Sequence, residues 1–391
     1  VSGRVVVLLA WAACAAAAPA RAQSILNAAG IGLPLEALDG RARAMGSFGV
    51  GLQGSTLAPA DPAASSRVLV STGIIAVQPS WVRLTEHATD ERTYFKGTRF
   101  PLLALGYPVR GGMAMLHAAS AFDQGYRGER SVEVVLGGTT VPATDLFTQR
   151  GSVSTLALGY SRVVVPGTSV GITVGRYTGT IVRSLVRQYE SSPGGGTIEP
   201  YRSVGTWRYS GFSLTGGVAT DVRGIARVAA SATWSADLEA DATGATEGSD
   251  RSFEVPLQLR VGASSVLVPG LTLSASAVHA DWSGTGSDLG SAGRAGSVTG
   301  VGVGLELSRA RLLGRAAPLR LGFRRAGLPF SLDEEPATER VFSAGLGLVL
   351  SESEGVVLAA ADLALEKGLR SGGGFSEDFW RATVSLRLSG F

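Results

Sequence analysis

Residues able to do chemistry are few in this chain. It has three histidines, His87, His117 and His279, and one cysteine, Cys14. A zinc site needs closely spaced ligands such as H-E-x-x-H or paired cysteines, and none stands beside these residues, so metal chemistry is not expected. The histidines read as wall or loop residues. Gly167-Thr168-Ser169-Val170-Gly171 has the G-x-S-x-G spacing of a hydrolase nucleophile. That chemistry needs a strand before the serine and a helix after it. Here a Pro166-Gly167 turn precedes and a strand-like run follows, so Ser169 reads as structural. Gly300-Val301-Gly302-Val303-Gly304 has dinucleotide-loop spacing only superficially. It lies inside an alternating apolar run, where its glycines are expected to face a crowded interior. Asp333-Glu334-Glu335 and Ser351-Glu352-Ser353-Glu354 read as solvated loops rather than cation sites. The chain is therefore expected to be neither an enzyme nor a cofactor carrier.

Composition points to a different role. Of 391 residues, 45% are hydrophobic but only 17% are charged, and 54 are glycine. Lysine occurs twice, at Lys96 and Lys367. Soluble helices favour Ala, Leu, Glu and Lys, whereas this chain favours Gly, Ser, Thr, Val, Leu and Arg. So little charge suits a protein whose outside faces lipid. Net charge is small and no basic block occurs, which argues against nucleic acid.

Residues 1–22 read as a signal peptide. Arg4 precedes the apolar run Val5 to Ala18, and Ala20-Arg21-Ala22 has A-x-A form, predicting cleavage after Ala22. Cys14 then reads as ordinary signal-peptide sequence. Removing Arg4 and Arg21 with it takes the formal charge from +3 to +1.

After residue 22 no apolar run approaches the twenty residues of a membrane helix. Apolar residues alternate instead, as in Ala226 to Leu238, Phe253 to Val261, Val301 to Leu307 and Phe342 to Leu350. A period of two means strand. These runs are too long for a soluble sandwich, and only helices and closed barrels cross lipid. Fourteen strands are expected, near 70–85, 97–108, 111–123, 148–164, 168–190, 199–219, 224–239, 250–266, 270–284, 294–311, 316–327, 337–350, 355–367 and 379–391. Tight turns such as Val165-Pro166-Gly167 and Val268-Pro269-Gly270 alternate with longer segments at 86–96, 124–147, 191–198, 240–249, 285–293, 328–336 and 368–378. Short periplasmic turns alternating with long external loops are the rhythm of an outer-membrane barrel. The expected fold is thus all-β: a transmembrane, antiparallel, up-and-down β-barrel.

Finer features follow. Gly211 is expected to mark a bulge between the phases of Trp207, Tyr209 and of Phe212, Leu214. Trp81, Tyr94, Phe95, Phe100, Tyr107, Tyr126, Trp282 and Trp380 are expected in interface girdles. The last strand ends in Phe391, the pattern of a signal read by the barrel assembly machinery.

Residues 23–67 lack alternation and are too apolar for a free tail. A segment that long before the first strand is expected to plug a lumen of this strand number. It contains Arg43-Ala44-Met45-Gly46, Gly49-Val50 and Asp61-Pro62-Ala63. Over about residues 30–65 the chain resembles the FadL/OmpP1-like outer-membrane transport family and its PorV-like relatives. These share an R-A-x-x-M-G-x-x-G-V-like stretch and an N-P-A element, here with Asp61 for Asn. The resemblance implies a fourteen-strand barrel, residues 68–391, passing long-chain fatty acids or other hydrophobic compounds through the bacterial outer membrane. Ile31, Leu33, Leu35, Met45 and Phe48 are the candidate ligand-lining residues of the plug, with packing as their alternative role. Expected partners are hydrophobic small molecules or lipids, outer-membrane lipid and the assembly machinery. The competing function is a PorV-like barrel that binds proteins during secretion or surface attachment, using loops 124–147 and 240–249.

Overall fold

The computed structural model describes residues 24–391 except 37, 191–197, 245, 247, 290–293 and 332–334. The expected signal peptide, Asp333 and Glu334 lie outside the described residues. Alternation becomes long strands: β1 (Thr72–Glu86), β2 (Arg92–Val109), β3 (Gly112–Asp123), β4 (Tyr126–Leu136), β5 (Thr139–Arg150) and β6 (Ser152–Val165). These are followed by β7 (Thr168–Tyr189), β8 (Tyr201–Val222), β9 (Ala226–Ser235), β10 (Leu238–Ala242), β11 (Arg251–Phe253) and β12 (Gln258–Val268). The series ends with β13 (Leu271–Asp281), β14 (Ser297–Leu307), β15 (Leu319–Gly327), β16 (Thr338–Ser353), β17 (Val356–Gly372) and β18 (Phe375–Ser389). Fourteen wall positions form an antiparallel ring, because β4 and β5 stand outside it and β10 and β11 continue β9 and β12. Pairing of β1 with β18, from Thr72↔Ser389 to Glu86↔Phe375, closes the barrel. Closure leaves no edge strand to be satisfied by lipid.

The outside is apolar where a soluble protein would be polar. Leu158, Ile172, Val174, Val261, Leu321 and Phe342 are all more than half exposed. So broad an exposed apolar belt on a closed sheet is the signature of lipid contact. No helix among the described residues is long and apolar enough to cross a membrane. The inside is polar, with Arg227, Arg320, Arg324, Glu366, Arg370 and Arg381 buried.

Several strand expectations need correction. Residues 124–147 are not a loop but most of the β4–β5 hairpin, whose Ala143–Arg150 pairs with β7. Residues 368–378 are not a long loop either, since β17 and β18 run through them to a Gly373-Gly374 turn. The run 250–266 is broken, because Phe253 and Val255 point inward while Leu257, Leu259 and Val261 point outward. Pro256, which lacks an N–H, sits at the change of phase. Gly211 carries no bulge, since β8 pairs continuously with β7 through it. Tyr209 simply faces in and Phe212 out. The extra residue lies opposite, between β9 and β10, where Ser213↔Ser235 gives way to Ser210↔Glu239.

Residues 24–68 run along the inward face of this wall. Helix α1 (Gly40–Ala44) is started by Asp39, whose carboxylate accepts from Ala42 N. Inner hydroxyls hold the backbone on many strands: Ser264 Oγ donates to Gly51 O, Ser231 to Ala60 O, Ser169 to Ala63 O and Ser343 to Ala44 O. Ser169 is therefore committed to the N-terminal segment. The abundance of glycine has its reason here. A Cβ on Gly304 would lie 2.2 Å from Met45 O, and one on Gly262 2.3 Å from Val50 O. Only a wall without side chains at these places lets two backbones meet.

Candidate functional site

The N-terminal segment and the wall enclose a cavity of about 100 Å3 with two unlike halves. Leu33, Leu35, Phe48, Val278, Trp282 and Leu328 supply apolar surface. Arg43, Arg99, Arg324, Arg370 and Arg381 supply cationic surface, with Glu36 and Glu339 beside them. The positions arise from period two: Arg324, Glu339, Arg370 and Arg381 are inward residues of β15, β16, β17 and β18.

The arginines are braced by buried acids. Arg370 Nε donates to Glu339 at 2.8 Å and its Nη1 to Glu377 at 3.0 Å. Arg381 grips Glu366 with two bonds of 2.9 and 3.0 Å. Arg324 Nη2 donates to Glu339 at 3.1 Å. The segment joins this network, because Arg43 Nη1 stands 3.9 Å from Glu366 and Ser24 Oγ donates to Glu377 at 2.7 Å. Two donors remain. Arg43 Nε and Arg324 Nη1 are buried without a hydrogen-bond partner among the described residues. Burial pulls the Arg43 guanidinium down to about 9, with Glu366 opposing and Arg381 adding to the fall. A buried unmatched donor is costly, so an anion reaching this cavity would be favoured.

A second space, about 1890 Å3, opens between the loop ends of β1, β2 and the β4–β5 hairpin. Its surface includes Ile25, Leu84, Phe95, Tyr126, Thr148 and Phe375. The wall itself is interrupted beside it. The β2–β3 ladder runs from Val109↔Gly112 only to Leu102↔Ala119. Beyond that, β2 pairs with β1 alone, while Phe122 and Asp123 of β3 pair with Pro34 and Leu33 of the inner segment. Two side-chain contacts span the gap: Ser120 Oγ donates to Phe100 O at 3.1 Å, and Arg99 Nη2 pairs with Asp123 at 2.9 Å. Pro101 stands at the break. It lacks an N–H, and β2 carries an extra residue there, with Ala76↔Leu102 followed by Gln78↔Arg99. Proline inside an otherwise regular strand was the available signal in the sequence, and the strand expected over 97–108 passed over it.

Asp61 anchors the segment at its other end. Its carboxylate accepts from Ala64 N and Gly51 N and faces Arg227 at 3.7 Å. Burial raises the Asp61 pKa, and Arg227 opposes the rise. The acid standing where the motif has Asn therefore has a specific basic partner.

No protein-family model matches the sequence, and no curated protein matches it. The architecture does match solved structures. A FadL homologue from Pseudomonas aeruginosa aligns with a TM-score of 0.62 and 11% identity, over 92% of this chain and 99% of that one. The chain has a FadL-type fold. The toluene transporter TbuX from Ralstonia pickettii aligns with this FadL-type barrel at 0.56 and 13% identity, over 91% of this chain and 99% of its own. The toluene transporter TodX from Pseudomonas putida aligns at 0.57 and 13% identity, over 92% and 99%.

Within the FadL-type barrel the five candidate lining residues divide. Leu33, Leu35 and Phe48 meet at the small cavity. Ile31 is packed away with Phe122, Tyr177, Trp282 and Phe330, and Met45 with Leu38, Ala42 and Leu52. Trp282 is likewise a core residue, not a girdle residue, stacked edge-on to Phe330 at 5.4 Å. Trp81, Tyr94, Phe100, Tyr107 and Trp380 are exposed, whereas Phe95 and Tyr126 are half-buried at the cleft. His117 faces inward, His279 faces outward beside Thr299, and His87 lies in the β1–β2 loop. Phe391 lies just past β18, where Gly390 turns at φ +76° and Ser71 Oγ donates to Phe391 O. Ser351–Glu354 form the end of β16 and its turn.

Proposed function

We propose that this protein is an outer-membrane conduit for passive uptake of hydrophobic small molecules, and that long-chain fatty acids are the class it takes. The observation that carries the reading is the cavity in which Leu33, Leu35 and Phe48 face the partnerless donors of Arg43 and Arg324. An apolar chain suits the first group and a carboxylate the second. In this reading residues 23–67 are the plug and 68–391 the barrel. A ligand collects in the large cleft, passes Ile25 into the small cavity and leaves by the break at Pro101. Residues 1–22 are removed after Ala22 for export, and Phe391 marks the chain for the assembly machinery. The shared fold with TbuX and TodX, both described as toluene transporters, supports a hydrophobic cargo.

Uptake of a labelled long-chain fatty acid by deleted and complemented cells tests the reading, with toluene as the comparison ligand. Equal fatty-acid uptake in both strains removes it. One feature favours the competing, protein-binding reading: the β4–β5 hairpin carries an exposed Gly137-Gly138 tip. Purification in detergent separates the two, since a stoichiometric protein partner supports docking and co-purified lipid supports transport.

A further inference from the structure

The two lysines of the chain stand three strands apart on the outer surface, separated by two tryptophans. Lys96 of β2 pairs in register with Trp81 of β1, Trp81 with Trp380 of β18, and Trp380 with Lys367 of β17. All four face outward, since their neighbours Val82, Phe379, Glu366 and Gly368 are buried. Trp81 and Trp380 are 51% and 53% exposed. The Lys367 Nζ lies 5.1 Å from the Trp380 ring centroid. Adjacent strands are about 4.8 Å apart, so the two ammonium stems are rooted roughly 14 Å from one another.

The outer surface of β1 and β18 changes character at this row, whereas β17 continues past it with the exposed Leu369. Toward the turn end, β1 presents Val77 and Ile75, β17 presents Leu365 and Leu363, and β18 presents Val384 and Leu386. Toward the loop end come Arg83 on β1, Asp378 on β18 and Arg340 on β16. The row therefore marks where hydrocarbon gives way to headgroups. Charge there is predominantly positive. Arg83, Arg92, Lys96, Arg340 and Lys367 face Asp378, which pairs with Arg83 at 2.6 Å and with Lys367, and Asp90, which pairs with Arg92 at 3.5 Å. Glu86 ends β1, and Glu91 lies in the loop above. A chain that uses arginine almost everywhere else has placed both its lysines here.

We propose that this patch is a binding site for a phosphorylated lipid headgroup of the leaflet at the loop end. Lys96, Lys367 and Arg83 would donate to phosphate oxygens, and Trp81 and Trp380 would lie along the sugar or glycerol and the first methylenes. The two lysines and two tryptophans are on the outer face of the wall, and with Arg83 and Asp378 they also border the large cleft between the loop ends of β1, β2 and the β4–β5 hairpin.

Purified protein in non-ionic detergent, titrated with diphosphorylated lipid A and followed by native mass spectrometry, tests the site. Dephosphorylated lipid A and inorganic phosphate are the comparison probes. We expect a retained diphosphorylated lipid, about tenfold weaker binding in the variant carrying Lys96→Gln and Lys367→Gln, and weak retention of the dephosphorylated lipid. A charge-matched variant carrying Arg162→Gln and Arg223→Gln, at the turn end, should bind as the parent does. Heat-modifiable gel mobility reports that each barrel is folded, and Arg340→Gln is the substitute should the double variant fail to fold. Equal binding by parent and lysine variant, or equal binding of both lipids, overturns the proposal. So does displacement of the lipid by equimolar inorganic phosphate, which would make the patch a simple anion site.

Discussion

Gly302 of β14 meets the carbonyl oxygen of Gly46 so closely that a Cβ on Gly302 would sit 2.0 Å from it. This is backbone against backbone, so no side-chain rotation relieves it. Gly302→Leu should displace the N-terminal segment at a cost of about 1–3 kcal/mol, the usual range for overpacking. Limited proteolysis measures it: cleavage within residues 24–68 should accelerate while the barrel keeps its gel mobility. Unchanged cleavage would mean that the segment does not press on β14.

The Asp61–Arg227 pair should make docking depend on pH. Burial holds the Asp61 pKa above its ordinary value in the docked state. A raised acid adds stability that is complete below the ordinary value and is lost as pH rises through the raised one. Docking should therefore tighten on acidification across that window. Asp61→Asn keeps an acceptor for only one of Ala64 N and Gly51 N, which bond to different carboxylate oxygens, and it cannot titrate. Docking should therefore weaken somewhat while the slope contributed by this position vanishes. Cleavage rates of parent and variant compared across the carboxylate range give the slope directly.

Pro101 should control the gap in the wall. Pro101→Val restores an N–H and a strand-favouring side chain, allowing the β2–β3 ladder to extend past Leu102↔Ala119. A several-fold drop in uptake is expected without loss of barrel stability. Cysteine pairs placed across the two strands would report the closure, and uptake at the parental rate in a closed wall would exclude this exit.

Arg324 should distinguish anionic from neutral cargo. Arg324→Gln removes the charge at a donor facing the cavity, and a charge-assisted hydrogen bond contributes about 1.5–3 kcal/mol. Affinity for a long-chain fatty acid should fall by roughly one to two orders of magnitude, while affinity for toluene stays unchanged. Parallel loss for both ligands would assign Arg324 to holding the cavity's shape.

Alternation of apolar residues, the Pro-Gly turns and a glycine-rich, lysine-poor composition were enough to specify an antiparallel fourteen-strand wall with lipid outside. These are local properties: period two places side chains, and turn residues reverse the chain whatever lies beyond them. Even the role of Gly300, Gly302 and Gly304 was legible, because an inward glycine row implies something pressed against it. What faces what was settled only by closure of the barrel. Ser24 meets Glu377 across 353 positions of sequence, and Arg43 of the segment joins Glu366 of β17. No periodicity encodes such pairings. The same holds for the β4–β5 hairpin, which looks like a polar loop until β7 extends beyond the ring to pair with it, and for Trp282, whose flanking sequence suits a girdle but whose ring is claimed by Phe122 and Phe330. Strand identity follows from short-range stereochemistry, whereas partners follow from register around a ring, which exists only when the last strand meets the first.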